Sequence, residues 1–107
     1  MTDPQKVARL FKVLSVDTRV RMVGLLKERT LCVNAMAHML DITPAAVSQH
    51  LRVLRDADIV IADKKGNFVH YRINPDALKA LQASADEFLA CPEAEPSPLI
   101  PIQHPLS

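Results

Sequence analysis

Two sets of residues in this chain have the types and spacing to do chemistry: a polar, basic row on one side of a short amphipathic segment, and a pair of cysteines, Cys32 and Cys91. From Pro44 to Asp56 the apolar residues Val47, Leu51 and Leu54 recur at helical spacing and form one stripe. Ala45, Ala46, Ser48, Gln49 and Arg52 fall largely on the other side, which carries no acid until Asp56. Small, polar and basic side chains suit a helix that enters a groove about 12 Å wide and hydrogen-bonds to base edges. Gln49 can pair with adenine, Ser48 with several bases, and Arg52 with guanine or a phosphate. Thr43 and His50 flank the same row. By periodicity alone this is the face of any solvated helix, so the elements around it decide.

Those elements have a definite order. Leu31, Ala35, Met39 and Leu40, with Met36 alongside, give a preceding helix one apolar face, and Thr30 is placed to cap it. Asp41-Ile42-Thr43 supplies a turn, after which Thr43-Pro44 restarts a helix as N-cap and first residue. Beyond that helix, Ile59-Val60-Ile61 and Phe68 to Ile73 read as two strands joined through Asp63 to Asn67, with Gly66-Asn67 tolerant of positive φ. Lys64, Lys65 and Asn67 fall at the hairpin tip, where contacts to phosphates position a protein without specifying sequence and make binding salt-dependent. Helix, turn, helix and hairpin in succession present one exposed helix to a major groove. The expected fold is mainly α with a small β-hairpin: a dimeric winged helix-turn-helix of about five helices and a two-stranded wing.

The flanks complete the domain. Asp3-Pro4 opens a first helix with Val7, Leu10, Phe11 and Leu14 as its stripe. A second helix is predicted over about 18–27, capped by Asp17, with Val20, Val23 and Leu26 facing inward; Arg19 can reach a phosphate or hold a structural ion pair, and the structural role is preferred. Asn74-Pro75 opens the last helix, where Leu78, Leu81, Ala85 and Phe88 follow steps of three, four and three; this rhythm fits a helix–helix seam and equally an ordinary core stripe. Five of the eight prolines fall within 92–107, so the expectation is one winged-helix domain over 1–91 followed by a Pro-rich flexible tail, with Leu99, Ile100 and Ile102 in it as a docking peptide or a disordered end.

Composition narrows the function. The net charge of +1 argues against a non-specific polyanion binder, yet 1–40 carries seven basic and three acidic residues and 74–107 carries one and five. That polarity suits DNA at one end. No apolar run approaches the ~20 residues of a membrane helix and no secretory segment opens the chain, so the expected location is cytoplasmic and no membrane partner is expected. With two glycines, no phosphate-cradling loop and no Cys-x-x-Cys, an enzyme is not expected. A winged helix that binds protein without DNA is the rival class, because that fold serves both purposes.

Leu-Ser-x-Asp-Thr-Arg over 14–19, Leu31-Cys32-Val33, Val47-Ser48-Gln49-His50-Leu51 and Val69-His70-Tyr71-Arg72 together resemble the ArsR/SmtB family of bacterial winged-helix repressors, over residues 8 to 90 or so. The resemblance implies a homodimer built by the first and last helices, here through Leu10, Phe11, Leu78, Leu81, Ala85 and Phe88. It also implies binding to double-stranded operator DNA and release when an inducer binds or oxidises the protein. Two recognition helices then read a near-palindrome.

Cys32 falls in the first turn of a helix, where the dipole and free N–H groups favour a negatively charged sulfur, and Cys91 closes the last helix; either is as readily a small buried hydrophobe. Arsenic-sensing members of the family often carry Cys-x-Cys here, but the second position is Asn34, so an As(III) or other soft-metal site would need Cys91 and lacks a third ligand. The family's zinc site on the last helix needs histidine, and that helix offers only Asp76, Asp86 and Glu87. His38, His50, His70 and His104 lack metal-ligand spacing, so no cofactor is assigned. Relatives that respond to oxidants or reactive sulfur pair one cysteine at this helix start with one near the end of the last helix. Thiol-based sensing through Cys32 and Cys91 therefore ranks first, a soft metal second and a ligand-free repressor third. The chain departs from the family at Asp58, where glycine is usual; a strained or differently shaped turn into the wing is expected.

Overall fold

Three helices begin in the same way, on a polar side chain followed by proline. The Asp3 carboxylate accepts from the Gln5 N–H at 3.0 Å, the Thr43 hydroxyl from Ala46 N–H at 3.1 Å, and the Asn74 carbonyl oxygen from Ala77 N–H at 3.5 Å. Each satisfies an otherwise orphaned donor, and each proline fills a position whose own donor would be orphaned anyway. In the computed structural model, which describes residues 3–92, these starts open α1 (Pro4–Val13), α4 (Pro44–Asp56) and α5 (Pro75–Leu89). Between them lie α2 (Asp17–Leu26), α3 (Val33–Leu40) and the antiparallel strands β1 (Val60–Lys65) and β2 (Phe68–Ile73). The winged helix-turn-helix expected from the sequence is the fold observed. The tail expected over 92–107, including Leu99, Ile100, Ile102 and His104, lies beyond Pro92 outside the described residues.

The other two helix starts differ from expectation. Val16 occupies the N-cap of α2, so Asp17 sits inside the first turn, where its carboxylate favours the positive end of the helix and lies 3.7 Å from Arg21. Cys32, not Thr30, is the N-cap of α3. The cause is non-local: Leu31 is drawn into a β-bridge with Tyr71, donating to its carbonyl at 3.1 Å and accepting from its N–H at 2.8 Å. Helix geometry starts only after that pairing.

One core joins α2, α3, α4 and the hairpin: Met22, Leu26, Met36, Ala37, Val47, Leu51, Leu54, Ile59 and Val60. The α4 stripe is the expected one. In α3 the buried pair is Met36 and Ala37, while Met39 is 44% exposed, and in α2 Val20 is 51% exposed rather than inward. Both helices are apolar on more than one side, so composition alone does not say which side is covered. At the other end of the molecule α1 and α5 meet through an edge-to-face contact of Phe11 and Phe88, ring centroids 6.0 Å apart.

The hairpin is longer and tighter than its sequence suggests. Asp63, Lys64 and Lys65 belong to the ladder, opposite His70, Val69 and Phe68, and the loop contracts to Gly66-Asn67 with Gly66 at φ 62°. Successive strand residues face opposite ways, so Lys64 and Lys65 lie on opposite faces of the wing. Arg72 Nε donates to the Asp63 carboxylate at 2.7 Å along the face that Lys65 shares.

Both helices of the helix-turn-helix end on an aspartate in left-handed conformation, Asp41 at φ 55° and Asp58 at φ 61°. At the end of α4 the Asp58 N–H donates to Arg55 O at 2.9 Å and Ile59 N–H to Leu54 O at 3.0 Å, the paired bonds of a Schellman cap. The same pair recurs after α3, from Asp41 to His38 and from Ile42 to Ala37. The turn into the wing thus takes the shape glycine would give it, with aspartate in glycine's place. Asn74 then ties the region together: its side-chain amide donates to Asp58 O at 3.0 Å and its backbone N–H to Ile59 O at 2.9 Å.

Candidate nucleic-acid interface

Helix α4 is held by one side and presents the other. Val47, Leu51 and Leu54 are 0%, 2% and 0% exposed, which locks the helix against α3 and β1. Thr43, Ala45, Ser48, Gln49 and Arg52 are exposed, as the sequence placed them, whereas His50 is only half open to solvent. The Thr43 hydroxyl is engaged in capping. On the wing Lys64, Lys65 and Asn67 are exposed, and Phe68 beside them is 68% exposed.

Between α4 and β2 runs an open cleft of about 390 Å³, lined by Ser48, Leu51, Arg52, Arg55, Asp56 and Tyr71. Neither Arg55 nor Tyr71 is among the DNA contacts expected from the sequence. Continuing the row from Arg52 by one helical step finds Arg55; no local signal finds Tyr71, which reaches the cleft from another element. Among the described residues neither arginine has an ion-pair partner and the Tyr71 hydroxyl makes no hydrogen bond.

The remaining candidates are scattered. Cys32 is half-buried at the N-cap of α3, and Cys91 is exposed two residues past the end of α5 rather than closing it. Both are free thiols, so the structure does not join them. Among the described residues no group of three or more His, Cys, Asp or Glu is arranged to hold a metal ion. Among the described residues no ion pair engages the Arg19 guanidinium and its buried Nε has no partner, so the structural ion pair preferred there is not seen among them. Leu10, Leu78, Leu81 and Ala85 are half-buried, while Phe11 and Phe88 leave 41% and 56% of their surface open.

A helix-turn-helix with a hairpin wing, one locked helix and an open polar face define the class of winged-helix DNA-binding domains. Residues 17–62 match the family model described as bacterial regulatory protein, arsR family. The chain is similar to the arsenic resistance transcriptional regulator ArsR1 of Pseudomonas putida, 41% identical over 68 residues, covering 63% of this chain and 53% of that one. It is also similar to the cadmium resistance transcriptional regulatory protein CadC homolog of Staphylococcus aureus, 37% identical over 84 residues, covering 78% of this chain and 69% of that one. Among solved structures, the homodimeric winged helix-turn-helix DNA-binding domain of Mb0332 from Mycobacterium bovis superimposes with a TM-score of 0.65 at 29% identity, covering 80% and 83% of the two chains. The chain therefore belongs to the arsR family of bacterial regulatory proteins, which are transcriptional regulators rather than enzymes. It spans little more than half the length of the Pseudomonas relative. No helix among the described residues is long and apolar enough to cross a membrane.

Proposed function

We propose that this protein is a homodimeric transcriptional repressor that binds a near-palindromic operator through α4 and the wing and is released by an inducer acting on its thiols. The observation that carries the DNA-binding part is the two-sidedness of α4: a stripe buried to 2% or less, and opposite it an open row of Ser48, Gln49 and Arg52. Ser48 and Gln49 read base edges, Thr43 and Ala45 approach the groove at the helix start, His50 lies at its margin, and Lys64, Lys65 and Asn67 follow the phosphates. The dimer is built from the outer surfaces of α1 and α5, where Phe11 and Phe88 pair within one protomer yet keep about half of their area open. The homodimeric Mycobacterium relative supports that assembly.

Cys32 is the sensing residue in this reading. It caps α3, the helix against which α4 packs, and its neighbour Leu31 is bonded to the wing strand β2. A covalent change at Cys32 therefore acts on both DNA-contacting elements at once, with Cys91 as the second thiol. An oxidant or reactive sulfur species is the first-ranked inducer. A soft metal or metalloid is the second reading, favoured by the arsenic and cadmium resistance named in two relatives. The test is a fluorescence-anisotropy titration of the duplex upstream of this protein's own gene at fixed salt. The protein is used reduced, then treated with polysulfide, then reduced with As(III) added. Release by polysulfide supports the thiol switch, and release by As(III) alone moves the metalloid ahead. Equal affinity for scrambled DNA in all states defeats the operator reading.

A further inference from the structure

We infer that the cleft between α4 and β2 is a seat for the DNA phosphodiester backbone, with Arg55 and Tyr71 as its two previously unassigned ligands. This inference rests on the DNA-binding reading of α4 and deepens it. Arg52 and Arg55 lie one helical step apart and, with Ser48 one turn earlier, line the helix wall of the cleft; Tyr71 lines the strand wall. Tyr71 stands opposite Ala62, on the same wing face as Lys64. Two arginines and a tyrosine, whose guanidiniums and phenol have no partner among the described residues, line one space. Planar guanidinium forks match phosphate oxygens, and such charge-assisted bonds are the strong ones.

The position selects the ligand. A cleft of about 390 Å³, open to solvent and bounded by the recognition helix on one side and the wing on the other, is larger than one free phosphate needs. In the DNA-binding reading of α4, the anion that reaches this space is the strand bordering the groove that the helix enters. Asp56 is the one carboxylate in the lining and opposes an anion there. The seat thus predicts effects of opposite sign from neighbouring residues, which a merely structural role would not give. Because the two lysines of the wing face opposite ways, only Lys64 shares the wing face of Tyr71.

The experiment measures the salt dependence of duplex binding by anisotropy for the wild type, Arg55→Gln, Tyr71→Phe and Asp56→Asn, on the upstream duplex and on a scrambled one. Arg55→Gln is expected to weaken both duplexes alike and reduce the log–log salt slope by about 1 per half-site. Tyr71→Phe keeps the ring in the core and is expected to cost roughly fivefold in affinity with an unchanged melting temperature. Asp56→Asn is expected to tighten binding. A wild type that binds with an unchanged slope in Arg55→Gln overturns the seat and leaves the DNA reading standing. A wild type that binds neither duplex overturns both. Repeating the titration with inorganic phosphate replacing chloride at equal ionic strength is expected to change nothing; specific competition by phosphate would assign the cleft to a free anion and overturn the backbone seat.

Discussion

Replacing Asp58 by glycine tests how the recognition helix hands the chain to the wing. Asp58 is held at φ 61° by its own N–H bond to Arg55 O, the Ile59 N–H bond to Leu54 O and the Asn74 amide on its carbonyl. A residue with a Cβ loses about 1 kcal/mol or somewhat more in that region, and aspartate less than most. Its exposed carboxylate has no ion-pair partner among the described residues and lies at the negative end of α4, which adds about 0.3 kcal/mol. Glycine removes both terms but gives the unfolded chain more freedom, an offset of about 0.5 kcal/mol. The net expectation for Asp58→Gly is a gain of about 0.5–1 kcal/mol, or a melting temperature higher by roughly 3–6 °C for a domain of this size. Urea denaturation followed by circular dichroism at one fixed protomer concentration reads it directly, since self-association would make stability depend on concentration. Asp58→Ala serves as the control, because it removes the charge and keeps the Cβ. Equal stabilisation by both substitutions would assign the effect to charge; no gain from glycine would refute the stored backbone strain.

Four further outcomes follow from the same geometry. Leu51→Ala, at a site 2% exposed, is expected to cost about 3 kcal/mol in the same denaturation assay and to weaken DNA binding by unseating α4. Ser48→Ala and Gln49→Ala are expected to narrow the ratio of specific to scrambled binding, whereas Lys64→Ala lowers affinity for every duplex; anisotropy on paired duplexes separates the two. Phe88→Ala, which removes the edge-to-face partner of Phe11 on the outer surface of α5, is expected to shift sedimentation toward monomer at concentrations where the wild type is dimeric. Asn74→Asp keeps the cap on α5 but loses the amide donor to Asp58 O, so the denaturation midpoint should fall by the equivalent of about 1 kcal/mol.

Much of this architecture is legible in the chain because it is written locally. Asp3-Pro4, Thr43-Pro44 and Asn74-Pro75 each mark a helix start that the structure reproduces with a side-chain cap, and Val47, Leu51 and Leu54 name the buried side of α4 without help from other elements. What was missed depends on residues far apart in sequence. Thr30 looks like a cap until Leu31 pairs with Tyr71 across the fold. Asp63, Lys64 and Lys65 have poor strand propensity and become strand because Phe68 to His70 face them across a two-residue turn. Met39 and Ala37 exchange expected places because α3, eight residues long, is apolar nearly all round. The Arg55–Tyr71 cleft is invisible for the same reason as the Leu31 bridge: its walls come from separate elements. The cysteines differ again: their positions are plain in the sequence, and the structure leaves both as free thiols, Cys32 half-buried and Cys91 exposed.

The bonds of Asn74 have an architectural consequence. Its N–H reaches Ile59 O and its amide reaches Asp58 O, so the chain leaves for the wing and returns from it at the same place. The hairpin is an excursion from a closed loop base, anchored a second time where Tyr71 meets Leu31. Beyond that second anchor, the outer part of the hairpin runs out to the exposed Gly66-Asn67 turn. Residues added or removed there in matched pairs preserve the face each side chain occupies, because the strand period is two. The wing is thus a cassette: its tip can be exchanged while α4 and the α1–α5 contact stay as they are.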